Sequence, residues 1–397
     1  SGRLPATVAF YLLVSIMVFF LAGSSAPTPL YAVYQAEWGF SPITTTIVFG
    51  VYTLAVLAAL LTVGSLSDYV GRRPVLLVAI VLQAVVMLVF ATAGGVPQLL
   101  VARILQGLST GAAAGAVGAA LVDLDKARGT IANAVGPATG TATGAIGSGL
   151  LVQYLPDPTH LVYLVLFLVF ALQALGVLLL AETSTSRPGA LASLRPRFAL
   201  PAATRRPFLV AIPALVATWS LAGLYGSLSP ALVRALVGVN SFVLTGLALF
   251  VLAGSGALTV LLLRTAAPRT VLVLGTVALV VGVGITLLAI THTAAAVFFV
   301  GTAVAGVGFG AGFQGALRTV LPLAAPQERA GVLSLLYVVS YLAMGLPAVI
   351  AGFLVVHGGG ILPTARAYGL TVMVLAALAL LGVIRPRRRL TTSAAQS

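Results

Sequence analysis

Apolar residues in this chain come in long runs of about 20 or more. Short breaks rich in charge, Gly or Pro separate them. A helix needs ~20 mostly apolar residues to cross a bilayer. The runs predict twelve spanning helices over residues 6–31, 42–63, 74–94, 98–121, 129–154, 161–182, 207–229, 241–263, 270–290, 294–317, 331–355 and 365–384. The first run is too long for a cleaved leader and continues into a proline-rich end at Pro27 and Pro29.

Composition supports the same picture. Of 397 residues, 60% are hydrophobic and 7% charged, with mean hydropathy +1.14. Soluble domains carry roughly 25% charged residues. An ordinary cytosolic enzyme, a disordered chain and a disulfide scaffold are therefore excluded. There is no cysteine, hence no disulfide, thiolate metal site or cysteine nucleophile. His160, His292 and His357 are too few and too scattered for a metal cage, so neither metal nor cofactor is expected.

The net charge of +14 matters through its placement. With the N-terminus inside, 18 basic residues fall on the inner side. They are Arg3, Arg72, Arg73, Lys126, Arg128, Arg187, Arg195, Arg197, Arg205, Arg206, Arg264, Arg269, Arg318, Arg329, Arg385, Arg387, Arg388 and Arg389. Only Arg234 and Arg366 fall outside, and Arg103 lies within a span. Such asymmetry predicts cytoplasmic termini in a multi-pass protein of the plasma membrane. The basic tail reads as an anchor to anionic lipid. It is one short cluster without aromatics, so nucleic acid is not an expected partner.

Residues 183–206 form the longest polar stretch and split the chain six spans to six. The expected fold is an all-α integral membrane protein of twelve helices in two pseudo-symmetric six-helix bundles. Residues 1–182 form the first bundle, 183–206 a cytoplasmic linker, and 207–397 the second bundle with its tail. Transporters with this layout bind substrate near the midplane, between the halves.

Between spans two and three stands Gly64-Ser65-Leu66-Ser67-Asp68-Tyr69-Val70-Gly71-Arg72-Arg73. Glycines allow a tight turn here, and the Asp and Arg pair can form charge-assisted bonds across helix ends. A turn with topogenic arginines is the simpler reading. The stretch resembles the signature loop of the major facilitator superfamily, G-x-L-x-D-x-x-G-R-R, at the position that family requires. Tyr69 stands where the family usually has a basic residue, a departure expected to weaken a lipid or helix contact of the loop. The resemblance implies that Asp123, after span four, pairs with the loop arginines. Gly64, Asp68, Gly71, Arg72, Arg73 and Asp123 are thus the candidate conformational latch. Asp125 reads as a solvated loop acid.

Arg103, Gln106, Gly107 and Thr110 in span four share one helical face. A mid-membrane arginine costs about 2.5–3.5 kcal/mol on insertion scales, so it should face a polar cavity. Snorkelling toward the helix start is the alternative. The segment resembles the family's fourth-helix motif R-x-x-Q-G, whose arginine is implicated in proton or substrate coupling. Gly136, Pro137 and Gly140 resemble the fifth-helix antiporter motif G-P-x-x-G of exporters. Close helix packing accounts for these glycines equally well. Gly306, Gly308, Gly310 and Gly312 lack the strand context of a dinucleotide site and read as packing.

Ser24, Thr28 and Tyr31 in span one, Trp219 and Tyr225 in span seven, Gln314 in span ten, and Tyr337 and Tyr341 in span eleven complete the expected cavity lining. Hydroxyls, amides and aromatics with few charges suit a neutral or weakly polar, partly apolar ligand. The expected function is export of small amphipathic compounds by alternating access, and the resemblance implies exchange with protons. The seven acids are Glu37, Asp68, Asp123, Asp125, Asp157, Glu182 and Glu328, and none lies in mid-membrane by these spans. Glu37 is the candidate outer proton site. An importer or facilitator of a neutral nutrient is the alternative. A membrane enzyme would need buried acids or metal ligands that are not evident, and a sensor would need an output domain. The expected partners are a small-molecule substrate, protons and the lipid bilayer, with the protein acting as a monomer.

Overall fold

A computed structural model describes residues 4–384. It is all-helical, with twelve long helices whose loops alternate between two ends. Helix α1 runs Ala6–Ser25 and continues, after Ala26, as Pro27–Trp38. There follow α2 (Pro42–Thr62), α3 (Arg72–Ala91), α4 (Val96–Leu124), α5 (Lys126–Tyr154) and α6 (Pro158–Leu178). The second six are α7 (Ala202–Val237), α8 (Phe242–Leu262), α9 (Pro268–His292), α10 (Ala295–Val320), α11 (Arg329–His357) and α12 (Ile361–Ile384).

Several helices outrun their apolar stretch. Helix α1 reaches Trp38 rather than residue 31, because Pro27 and Pro29 sit in the first turn of its second piece, where a missing N–H costs nothing. Helix α7 starts at Ala202 inside the expected linker, so Arg205 and Arg206 lie in its first turns. Polar residues extend a spanning helix beyond the hydrocarbon layer without penalty, and hydropathy marks only the middle.

Eleven of the helices are long and apolar enough to cross a membrane. The other is α5, diluted by glycine and threonine. Its glycines let it pack closely. A Cβ on Gly136 would stand 2.6 Å from Met17 Sδ, and one on Gly140 would meet Val18 O. One on Gly144 would meet Ala22 O. Helix α4 does the same against α2: a Cβ on Gly107 or Gly111 would lie 2.6 Å from Ala55 Cβ or Ala59 Cβ. In α10, Gly306 and Gly310 face α8, while Gly308 and Gly315 face α9. Small residues four apart thus replace hydrophobic burial as the means of joining helices within lipid.

A core from Ala9 to Leu180 fills the first six helices. Two cores centred on Leu249 and Leu279, and on Leu215 and Leu336, fill the second six. A small cluster of Phe49, Trp219, Tyr341, Met344 and Ala348 joins the halves near mid-height.

The contacts between the halves run from that cluster toward the end away from the basic loops. Thr46 lies against Gly352, Gly50 against Val349, and Thr53 against Gly345, joining α2 to α11. Gly149 meets Phe242, and Gly246 meets Ala145, joining α5 to α8. Gln153 Oε1 accepts from Val243 N–H at 3.0 Å, and Thr28 Oγ1 donates to Gly226 O at 3.2 Å.

Candidate functional site

At the basic end, the loop 64–73 is held by ion pairs and helix caps. The Arg72 guanidinium donates to Asp123 Oδ2 at 3.1 Å, to Ser67 Oγ at 2.9 Å and to Asp68. The neighbouring arginine has a different task. Arg73 donates to Val177 O at 3.2 Å and to Leu178 O, capping the C-terminus of α6 with positive charge. In return Glu182, just past α6, accepts from Arg72 N–H at 2.8 Å and Arg73 N–H at 3.0 Å at the start of α3. Gly71 adopts φ +103°, and a Cβ there would stand 2.6 Å from Glu182 Oε2. A cavity of about 140 Å³ lies beside this cluster, lined by Leu4, Leu13, Leu76, Ala120 and both arginines among others.

Among the candidate latch residues, Asp68, Arg72 and Asp123 therefore meet directly, with Gly64 and Gly71 shaping the turn. These bonds lie within the first six helices, not across the halves. Asp125 is the N-cap of α5, accepting from Arg128 N–H at 2.9 Å, rather than a solvated acid. Glu182 was not foreseen. Its signal was an acid at the end of span six, next to the unsatisfied N–H groups of a helix start.

Tyr69, the departure from the signature, has its own partner. Arg187 of the linker lies over its ring at 4.7 Å and donates through Nε to Asp68 O at 3.0 Å. Arg187 N–H also donates to Tyr69 O at 2.8 Å. The linker thus docks on the loop through an aromatic face. The tail arginines Arg385, Arg387, Arg388 and Arg389, and Arg3, lie outside the described residues.

In the first half, Arg103 is 1% exposed. It donates to Ser24 O at 2.9 Å, to Gln106 Oε1 at 2.6 Å and to Tyr31 Oη. Its guanidinium lies over Tyr52 at 5.1 Å, Tyr31 at 5.6 Å and Phe90 at 5.8 Å. Gln106 also donates to Gly23 O at 3.0 Å. This corrects the expectation of an open cavity wall. The arginine finds its polar destination in carbonyls, an amide and ring faces, which enclose it. Gly107 turns from that face toward α2, and Thr110 is buried with its hydroxyl unpartnered. Tyr52 and Phe90, unmarked in sequence, complete the cage. Both lie in largely apolar runs of the chain, and only the fold selects these two.

In the second half, Trp219, Gln314, Tyr337 and Tyr341 are partly exposed. The Trp219 ring packs edge-on to Phe313 at 5.1 Å and lies 5.6 Å from Tyr341, which is 6.3 Å from Tyr337. Tyr225 belongs elsewhere. It stacks on Phe298 at 5.9 Å and shares a 2.7 Å hydrogen bond with Thr302, inside the packing of α7 on α10. Thr28 and Ser24 are spent on backbone contacts: Thr28 on Gly226 O, and Ser24 through its hydroxyl on Leu21 O at 2.8 Å. Glu37 is exposed near the end of α1, away from this centre. No cluster of metal-ligating side chains occurs among the described residues.

Twelve helices in two six-helix halves, meeting at a central aromatic cluster, define a membrane transporter of small substrates. The sequence model of the Major Facilitator Superfamily matches residues 12–267, and the chain belongs to that family. No curated protein matches it by sequence. In fold it is similar to a bacterial homologue of the human lysosomal transporter Spinster, solved inward-facing and unoccupied, with TM-score 0.75, 14% identity, and 95% and 97% of the two chains covered. A point mutant of the nucleoside transporter NupG aligns with TM-score 0.72 and 13% identity over 94% and 99%. The human organic anion transporter MFSD10 (TETRAN) aligns with TM-score 0.66 and 18% identity over 96% and 99%.

Proposed function

We propose that the protein is a secondary exporter of small amphipathic compounds, acting as a monomer by alternating access and driven by exchange with protons. Its basic loops and both termini face the cytoplasm of the plasma membrane. The observation that carries this reading is the position of the contacts between the halves. They lie at and above a partly exposed aromatic wall, on the side away from the basic loops. Rocking one bundle against the other would exchange that closure for one at the basic end. The Gly136-Pro137-Gly140 segment favours export, and Glu37 is the outer carboxylate available to a proton.

One observation favours a facilitator instead. Asp68, Asp123, Asp125, Asp157, Glu182 and Glu328 sit in loops or helix ends, as does Glu37 near the end of α1. Purified protein in liposomes with an imposed pH gradient and a compound panel separates the two readings. Proton exchange predicts accumulation that follows the gradient and is lost in Glu37→Gln. Transport that ignores the gradient rejects proton exchange and leaves the facilitator.

A further inference from the structure

Two polar atoms of the partly exposed aromatic wall, Trp219 Nε1 and Gln314 Oε1, are out of water with no hydrogen-bond partner among the described residues. Buried donors and acceptors left unpaired are costly, and a polar group on a ligand at this wall would satisfy them. The flat faces around them come from Trp219, Phe313 and Tyr341. A planar ring with one polar substituent fits this wall.

Charge decides the rest. Arg103 is the one charged residue among the buried side chains described. Guanidinium keeps its charge in proteins. Its partners are a carbonyl, an amide, a phenol and three rings, all neutral, and the described acid–base pairs are elsewhere. Its Nε also has no partner. Among the fully buried described residues there is thus one positive charge without a countercharge. Helix α2 lies between that charge and the aromatic wall. Tyr52 under the guanidinium follows Phe49 by three residues on the helix, and Phe49 packs with Trp219 and Tyr341. At an effective dielectric of about 20, a unit charge about 10 Å away changes an ion's binding roughly tenfold, in opposite directions for anion and cation.

Resting on the transport reading above, we infer that the ligand is a small aromatic organic anion and that Arg103 makes the cleft reject organic cations of the same shape. This narrows the neutral class suggested by the lining residues. A neutral analogue takes the middle rank.

The test is equilibrium binding to the full chain in nanodiscs of zwitterionic lipid, with empty discs subtracted. The probes share one ring system: naphthalene-2-sulfonate, 2-naphthalenemethanol and trimethyl-2-naphthylammonium. The wild type should bind the sulfonate at least tenfold tighter than the alcohol, and the ammonium weakest. Arg103→Gln should collapse that ranking, with the sulfonate losing about tenfold and the ammonium gaining. Arg103→Lys keeps the charge and should keep the ranking, which separates an electrostatic role from a folding defect. Trp219→Phe, which removes only the N–H and part of the ring, should weaken all three alike. An ammonium that binds as well as the sulfonate, or a ranking unchanged in Arg103→Gln, overturns the inference. If none of the three binds while other compounds are transported in liposomes, the anion assignment fails and the transporter reading stands. If nothing in the panel moves, the transporter reading itself fails.

Discussion

Glu182 accepts a hydrogen bond from the backbone N–H of Arg72 at 2.8 Å, 110 residues earlier in the chain. The same carboxylate accepts from Arg73 N–H and fills the place where a side chain on Gly71 would stand. One acid thus caps α3, anchors the end of α6 and requires glycine at residue 71.

Gly71→Ala should accordingly be costly. The backbone at φ +103° is a region open mainly to glycine, and strain there costs ~1–3 kcal/mol. The added methyl would also displace the carboxylate that caps the helix. We expect a clear fall in the thermal unfolding midpoint of the detergent-purified protein, larger than that of Glu182→Gln, which keeps the shape but loses the charge and one of the two acceptor oxygens. Equal midpoints for Gly71→Ala and wild type would contradict the packing of Glu182 on this turn.

The ion pairs of the loop carry the second prediction. Asp68, Arg72 and Asp123 meet at a membrane boundary, where breaking a partly exposed pair costs little stability. Asp68→Asn and Arg72→Ala should therefore insert normally and lose most of their transport rate, if the triad serves as a latch when the opposite closure opens. Rates equal to wild type in both variants would reject the latch. A stability loss as large as that of Gly71→Ala would make the triad structural.

Much of this was legible before any coordinates, and the limits have physical causes. Span number and loop alternation follow from the thickness of lipid, which sequence hydropathy reports directly. Helix ends do not, because residues such as Arg205 and Pro27 are helical without being apolar. The Asp68–Arg72 pair was legible because it lies within one short loop, whereas Asp123 was assigned through the family resemblance. Glu182 and Tyr52 were not, since their partners are brought to them by helix packing. Arg103 was marked by its cost in the bilayer. That cost fixed only that it needs polar company, and backbone carbonyls supply it as well as a cavity would.

Orientation gives the third prediction. The chain has no cysteine, so single introduced thiols report cleanly. Ala192 lies exposed in the linker at the basic end, and Asn240 lies exposed in the loop before α8 at the other. In intact cells an impermeant maleimide should label Asn240→Cys and leave Ala192→Cys untouched. The reverse pattern would invert the topology.

The glycines of α5 offer a paired comparison. A Cβ on Gly144 would run into Ala22 and Ser25, whereas one on Gly147 has nothing within 4 Å. Gly147→Ala should be neutral or gain a few tenths of a kcal/mol from reduced backbone freedom. Gly144→Ala should lose ~1–3 kcal/mol by overpacking. Melting midpoints of the two variants, side by side, check this. Similar losses at both sites would mean that the α1–α5 approach is looser than described.

The last prediction tests whether the contact between halves is one of two alternating closures. A Cβ on Gly50 would stand 3.0 Å from Val349 Cγ2, placing α2 and α11 close enough for a disulfide, which needs Cβ atoms about 3.5–4.5 Å apart. In the cysteine-free background, Gly50→Cys with Val349→Cys can form only that intramolecular bridge. Mild oxidation should form it readily, because the halves already touch there. With the bridge closed, the halves cannot separate at the end away from the basic loops, and the ligand cannot leave on that side. Transport in liposomes should fall to background and return on reduction. Transport that continues at full rate in the oxidised protein would show that this closure never opens in the cycle, and alternating access through it would be rejected. Failure of the bridge to form would show that α2 and α11 do not rest together here.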